Sequence, residues 1–572
     1  MTFLLTRKNT LFSPITLALP QWRSSQPKKL FPITRVTTKK SSTRKRKEFA
    51  RAHGSGANAG GNNSNARQNS AKTHGNGANA GGKNHKAQGS RQNGLLNEHI
   101  SDYLLKLFGE NELNRYIELL GSPRKLAIRV NTLKTTTERL QPLLEKKYSI
   151  LSSLAPNLPN ALLIESDPSN LIGKSFEHLL GYYYIQSTSS MYPLHILQPK
   201  PGEKVLDLCA APGSKSTQIA AMMENKGMLV VNEVQSDRLR TLAYNIERMN
   251  VVNAGVIQNK GEWLGGYFQN YFDKILVDVP CSGLGILQKK DEVNKWWSIS
   301  SISRLLNLQL SLIIAAVKML KPGGELVYST CTLTTEENEE IVNKVIEKYP
   351  VELLPVSIPG SVEGFTKAGE KILSGEMRKT ARILPWSANS EGFFIAKMTK
   401  TAPTEEIKQS PVPEARTTIK PYKKVKEHFS SLISNFGISQ DFFDSFLYPD
   451  HGKRLFMISK DWEDNRTGIY ERIGLKIGAY DKSNQLILSS IAAQTWAKYI
   501  TKGIIDLDEP ADLQTYMEGG VIREYSSDLK NSGAERQVVI RNNGEIIGTG
   551  VLTEKGLKSR FPRGHRNQNF SF

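Results

Sequence analysis

From Lys204 to about Lys397, short apolar runs alternate with stretches of helical period, and this alternation restricts the fold more than any other feature of the chain. Unbroken apolar runs of four or five residues suit strands buried on both faces. A helical segment between successive runs is the connection that a parallel sheet needs. The expected fold class is α/β, with a Rossmann-like, doubly wound sheet whose ligands lie at the carboxyl ends of its strands.

The first run, Lys204-Val205-Leu206-Asp207-Leu208, leads into a turn of small residues: Cys209, Ala210, Ala211, Pro212, Gly213, Ser214 and Lys215. A helix is expected to begin with Thr217. Small residues let backbone amides approach a ligand closely. The Gly-Lys-Ser/Thr order of a phosphate-binding P-loop is missing. The second run, Met228–Asn232, ends at Glu233, where a carboxylate is placed to accept hydrogen bonds from both ribose hydroxyls. Such a pairing of turn and acid indicates a nucleoside cofactor, and NAD and AdoMet sites share it.

The chain has three cysteines, Cys209, Cys281 and Cys331, too few for a secreted disulfide scaffold. Two of them end the motifs Asp278-Val279-Pro280-Cys281 and Ser329-Thr330-Cys331, each of which follows an apolar strand. A single buried cysteine is usually a small hydrophobic residue. Two at consecutive strand ends, beside a cofactor turn and with Asp278 close by, indicate thiolate chemistry. With no Cys-x-x-Cys pair and no histidine cluster, a metal is not expected.

The flanks differ in character. Residues 1–93 hold eighteen of the 76 Lys and Arg but only one of the 55 acids, Glu48, so most of the +21 formal charge lies there. Residues 1–47 read equally as an organellar presequence, a nuclear signal or an RNA-binding arm. Residues 48–94 are low-complexity, and 53–61 recur as 74–82. The expected division is a disordered tail over 1–94, a small α+β RNA-binding domain over 95–196, the catalytic domain over 197–397, a linker over 398–418 and a separate, partly β domain over 419–572. In the last, Asn543-Gly544 between two apolar runs predicts a hairpin. No apolar run is long enough for a transmembrane helix.

At these motifs the chain resembles the Nol/Nop/Sun family of RNA cytosine-5 methyltransferases. The likeness runs from about Leu95 to Lys397 and takes in Arg129-Val130-Asn131-Thr132-Leu133-Lys134, Gly181-Tyr182-Tyr183-Tyr184-Ile185-Gln186-Ser187, the 209–215 turn, both cysteine motifs, Glu336-Glu337-Asn338, Arg382-Ile383-Leu384-Pro385 and Glu391-Gly392-Phe393-Phe394. It implies a class I methyltransferase domain with AdoMet held by the 209–215 turn, Glu233 and Asp278. It further implies Cys331 as the nucleophile and Cys281 as the residue that releases the adduct. Cytosine carbon 5 is a weak nucleophile, and thiolate addition at carbon 6 would push electron density onto it. Asp278 is expected to hold a proton near ring nitrogen 3 if burial raises its pKa.

The chain departs from the family pattern at three positions. Ser214 replaces a glycine, Val279 an alanine, and Lys260 the acid that would contact the adenine. Lysine cannot accept that hydrogen bond. The segment beyond residue 420 resembles PUA-like RNA-binding modules. The resemblance implies a ribosomal or transfer RNA substrate; no membrane or metal partner is expected, nor more than a monomer, and the cytoplasm is the default compartment, with an organelle or the nucleus left open by the basic segment. The competing readings are a non-catalytic RNA-binding assembly factor and a methyltransferase acting on DNA or a small molecule.

Overall fold

The computed structural model describes residues 95–525, 536–562 and 566. The basic, low-complexity segment up to residue 94 lies outside the described residues, as do Arg563, Gly564 and His565 of the terminal basic run. Among the described residues no helix is long and apolar enough to cross a membrane.

The chain enters through helices Glu98–Phe108 and Glu110–Leu120. Asn97 caps the first by accepting from the Ile100 amide at 2.8 Å, and Ile100 and Leu104 bury its apolar stripe. Strands β1 (Leu126–Val130), β2 (Leu151–Leu154), β3 (Ala161–Ser166) and β4 (Tyr183–Ile185) form an antiparallel sheet in the order β2-β3-β1-β4. Side-chain hydrogen bonds join this unit to the catalytic domain. Asn131 Nδ2 donates to Met249 O at 3.0 Å, Arg129 Nη2 to Thr217 Oγ1 at 2.8 Å, and Gln186 Nε2 to Gln218 Oε1 at 3.1 Å.

The central sheet is built on five parallel strands: β5 (Lys204–Asp207), β6 (Met228–Asn232), β7 (Ala254–Ile257), β8 (Phe272–Asp278) and β9 (Leu320–Thr330). Their order is β7-β6-β5-β8-β9, so the winding reverses at β5. Successive side chains point to opposite faces. Leu206, Val230, Ile275 and Val277 pack with Leu312, Ile313, Ile341 and Val342 on one face. Val205, Leu229, Val231 and Leu276 pack with Leu194, Ile219, Leu242 and Ile246 on the other. Burial on both faces explains the unbroken apolar runs.

Beyond β9 come β10 (Val351–Leu354), β11 (Val362–Glu363), the hairpin β12 (Lys367–Ala368) and β13 (Lys371–Ile372), β14 (Ala381–Ile383) and β15 (Phe393–Lys400). On the β9 side the sheet continues antiparallel through β15, β14 and β11.

The remainder holds two five-stranded sheets. The first comprises β16 (Thr418–Pro421), β17 (Phe446–Asp450), β18 (Arg454–Ser459), β20 (Leu475–Tyr480) and β21 (Leu486–Leu488), with β19 (Arg472–Ile473) between β18 and β20 in the chain. The second comprises β22 (Ile504–Asp506), β23 (Val521–Ile522), β24 (Arg536–Asn542), β25 (Glu545–Thr553) and β26 (Gly556–Ser559). The β24–β25 hairpin turns at Asn543 and Gly544, with φ of 47° and 82°.

Two features differ from the expected separate domain and free linker. Strand β19 pairs antiparallel with β7, closing an edge of the central sheet that would otherwise expose its ladder. Residues 401–417 lack regular structure but lie against the catalytic domain. The Ser410 amide donates to Gly266 O and the Ile407 amide to Gln269 Oε1, each at 2.9 Å. Proline- and charge-rich composition signals the missing secondary structure and says nothing about these backbone bonds.

At the β7–β19 junction, a Cβ added at Gly255 would fall 2.3 Å from a ring carbon of Trp462 and 2.7 Å from one of Tyr470, both buried. Gly255→Ala is therefore expected to destabilise the protein by about 1–3 kcal/mol in urea unfolding, with faster proteolysis within residues 401–417. An unchanged midpoint and cleavage rate would mean that the junction contributes little.

Candidate active site

Strand β5 delivers Asp207 to the turn. Asp207 Oδ2 accepts from Ser216 Oγ at 2.7 Å, while Oδ1 is buried without a partner. Burial pushes the Asp207 carboxyl up to about 7, with Asp278 adding and Ser216 and Lys215 opposing. The positive φ of 108° falls on Gly213, and Ser214 opens helix Ser214–Met222, three residues before the expected Thr217. Serine is tolerated there because the left-handed conformation belongs to its neighbour.

Glu233 is buried just past β6. Its carboxylate accepts from the Gln235 amide at 2.9 Å and meets Arg238 Nη1 at 3.2 Å. Arg238 also donates to Ala211 O at 2.7 Å, tying the acid to the small-residue turn. Lys260 is exposed, and its ammonium lies 4.4 Å from the ring centroid of Trp263, itself 59% exposed. Cys209, Ala210, Ala211, Pro212, Gly213, Ser214, Lys215 and Glu233 thus surround the start of one helix, while the Lys260 side chain is engaged at the surface.

The two cysteine motifs meet across β8 and β9. Cys281 Sγ and Cys331 Sγ are 3.0 Å apart, and the Cys331 amide donates to Cys281 Sγ at 3.2 Å. The hydrogen bond with Cys331, and then burial, push the Cys281 thiol well above its usual range. Lys215 Nζ lies 2.8 Å from Asp278 Oδ2, while Asp278 Oδ1 accepts from Ser329 Oγ at 2.7 Å. Burial opposes the charge of Lys215, but Asp278 outweighs it, Cys331 and Asp207 add to the effect, and the lysine pKa is raised. The Lys215 ammonium therefore lies at the corner where Asp278 meets Ser329. Cys209 is different. Burial and the carboxylates of Asp207, Asp278 and Glu233 all push its thiol well above the usual range.

Several supporting residues carry no local sequence signal for their partners. Glu337 accepts from the Ser282 amide at 2.8 Å, from Ser282 Oγ, from Gln309 Nε2 at 2.9 Å and from Thr334 Oγ1 at 2.8 Å. Arg382 forms a buried, two-pronged ion pair with Glu339 and donates to Leu333 O at 2.8 Å, two residues beyond Cys331. Glu391 accepts from Ser187 Oγ at 2.7 Å and from Lys289 Nζ at 2.9 Å. The acidic and arginine motifs were visible in the sequence, but their pairing needs the fold. Among the described residues no group of His, Cys, Asp and Glu could hold a metal ion.

A doubly wound sheet with a small-residue turn, a ribose-type acid and paired thiols at its carboxyl edge defines a Rossmann-like methyltransferase that works through cysteine. Residues 194–399 match the family model of the 16S rRNA methyltransferase RsmB/F, and residues 96–188 match that of the N-terminal domain of 16S rRNA methyltransferase RsmF. The chain belongs to the RsmB/RsmF family of AdoMet-dependent RNA cytosine-5 methyltransferases.

Ribosomal RNA small subunit methyltransferase F of Vibrio vulnificus is 32% identical over 459 residues, covering 79% of this chain and 93% of that protein. The tRNA (cytosine(49)-C(5))-methyltransferase of Pyrococcus abyssi is 38% identical over 306 residues, covering 53% and 96%. A solved methyltransferase homologue from Pyrococcus horikoshii is 34% identical, with a TM-score of 0.47, covering 53% of this chain and 100% of that one.

Removing one member of the Arg382–Glu339 pair strands a charge in the core. Arg382→Met is expected to cost about 3–5 kcal/mol in chemical denaturation, and the double variant with Glu339→Gln to cost less than the single. Equal losses in both would show that the stranded charge is not the cause.

Proposed function

We propose that this chain methylates carbon 5 of a cytosine in small-subunit ribosomal RNA, with Cys331 as the nucleophile. The observation that carries the reading is the approach of two sulfurs to 3.0 Å with the Lys215–Asp278 ion pair at the same strand ends. Lys215 faces Cys331 as well as Asp278, which places its positive charge beside the proposed nucleophile. Cys209, among carboxylates, is unsuited to that role.

AdoMet fits the residues present. A buried, unpartnered acceptor on Asp207, the backbone turn at Gly213 and the Glu233 carboxylate suit its amine and ribose, and when bound it supplies an electrophilic methyl group. Glu233, the 209–215 turn and Asp278 would hold it. Arg238, which bonds both Glu233 and Ala211, fixes the acid's orientation.

In the proposed reaction the Cys331 thiolate adds to carbon 6, and the Lys215–Asp278 pair supports the proton at nitrogen 3. Carbon 5 then takes the methyl group. Elimination breaks the carbon 6–sulfur bond with its electron pair returning to Cys331; Cys281, 3.0 Å away, serves that release by passing its proton to the departing sulfur and taking the carbon 5 proton in its place. The target base must leave its stack to reach this pocket. The choice of ribosomal RNA is supported by the relative whose similarity extends over 79% of the chain. Exposed Lys555, Lys558 and Arg560 along the last strand and its flank support RNA contact by the segment beyond residue 418.

Incubation with labelled AdoMet and either ribosomal or transfer RNA, followed by mapping of methylated cytosines, tests the reading. Cys331→Ala is expected to lower turnover by at least about 10⁴-fold. Cys281→Ala is expected to leave a covalent protein–RNA adduct on a denaturing gel. Normal turnover by Cys331→Ala would remove it from the nucleophile's role, and label entering only transfer RNA would overturn the proposed substrate.

A further inference from the structure

The parallel strands begin on the edge of the sheet opposite Cys331, and there three parts of the chain enclose a second crevice, of about 1060 Å³. Its walls are the 132–136 turn of the first unit, the turns ahead of β6 and β7, and the C-terminal segments around Phe442, Lys460 and Tyr499. Six cationic side chains line it, Lys134, Arg139, Lys226, Lys460, Lys498 and Arg541, against three carboxylates. Arg139 pairs with Glu545, Lys226 with Glu224, and Arg541 with Asp506. Among the described residues, Lys134, Lys460 and Lys498 ion-pair with no carboxylate. Lys134 and Lys460 instead donate to the carbonyls of Leu180 and Asp444.

Two further observations indicate a ligand. Thr135 Oγ1 and Asn250 Oδ1, on side chains 6% and 4% exposed, line the crevice and have no hydrogen-bond partner. Tyr499, 39% exposed, lines the same crevice, backed by Phe442 with ring centroids 4.3 Å apart and with Lys498 Nζ 5.4 Å from its own centroid. Burial, with Arg248 adding, lowers the Lys134 pKa to about 7, a penalty that a bound anion would relieve.

We propose that this crevice is a second RNA-binding site, in which Lys134, Lys460 and Lys498 hold the phosphodiester backbone of a single-stranded segment of the substrate and Tyr499 stacks on one of its bases. Unpaired cations beside an exposed ring are the elements of single-strand recognition. The inference rests on the reading of the chain as an RNA methyltransferase and adds a geometric requirement. Parallel strands of four to eleven residues separate this edge from the cysteines, a span of about 13–36 Å before the connecting turns are counted. Only an RNA long enough to fold around the catalytic domain reaches both sites.

The test compares the full chain with Lys460→Ala/Lys498→Ala, using small-subunit ribosomal RNA and a short oligonucleotide carrying the methylated cytosine. On the long RNA the variant's affinity should fall about tenfold, with the slope of log Kd against log salt reduced by roughly 1.4 for two lost phosphate contacts. Tyr499→Ala should weaken binding about tenfold without changing that slope, and Tyr499→Phe should restore it. Binding of the short RNA and of AdoMet should be unaltered. Photocrosslinking of the unmodified protein to the long RNA should label the peptides containing Tyr499 or Lys134. Crosslinks confined to the cysteine face, or an unchanged salt slope in the double variant, would overturn the site. Absence of methyl transfer to any RNA by the unmodified protein would instead sink the reading beneath it.

Discussion

One buried carboxylate sets the geometry on which the catalytic centre depends. Glu337 accepts from four donors, two on Ser282 and one each on Gln309 and Thr334, which fills the acceptor positions of a carboxylate. Without them its burial would be strongly unfavourable. Ser282 follows Cys281 directly, and Thr334 stands three residues beyond Cys331, so both sulfur-bearing loops are fixed to one group. Adjacent strands stand about 4.8 Å apart, and the loops that leave them are free to diverge. The 3.0 Å approach of the sulfurs therefore reflects the loops' shared anchor as well as the pairing of β8 with β9.

The same chemistry also needs three identical side chains to behave differently. Cys209 is ringed by carboxylates, Cys281 shares a hydrogen bond with its neighbour, and Cys331 lies where the Lys215 charge reaches it. The lysine keeps its proton because Asp278 is 2.8 Å away. One ion pair thus stands beside Cys331, while burial and neighbouring groups hold the protons on Cys209 and Cys281, and it does so across two strand ends and a helix start that only the folded sheet assembles.

How much was legible in the sequence depends on range. The parallel strands declare themselves because burial on both faces demands unbroken apolar runs, and the β24–β25 turn because few residues other than Asn and Gly accept two successive positive φ angles. The cofactor turn and both cysteines were readable because each immediately follows such a strand. The rest depends on partners far away in the chain. Glu339 meets Arg382 forty-three residues on, β19 reaches back more than two hundred residues to β7, and the 401–417 segment is held through its backbone by Gly266 and Gln269, far away in the chain. The Lys215–Asp278 contact is of the same kind, since Lys215 lies 63 residues earlier in the chain.

These long-range bonds also bear on how an RNA substrate would be presented. The first unit is bonded to helix Ser214–Met222 through Arg129 and Gln186, and that helix opens at the cofactor turn. The last part of the chain adds a strand to the same sheet at β7 and meets the first unit through Arg139–Glu545. Flanking parts tethered loosely to a catalytic domain would raise only the local concentration of substrate. Parts bonded to its sheet and to its helix hold their surfaces at fixed distances from Cys331, so under the proposed function the shape of the RNA around a nucleotide would count as well as the base itself. That arrangement suits the proposed reaction, in which the reacting cytosine looks the same as every other.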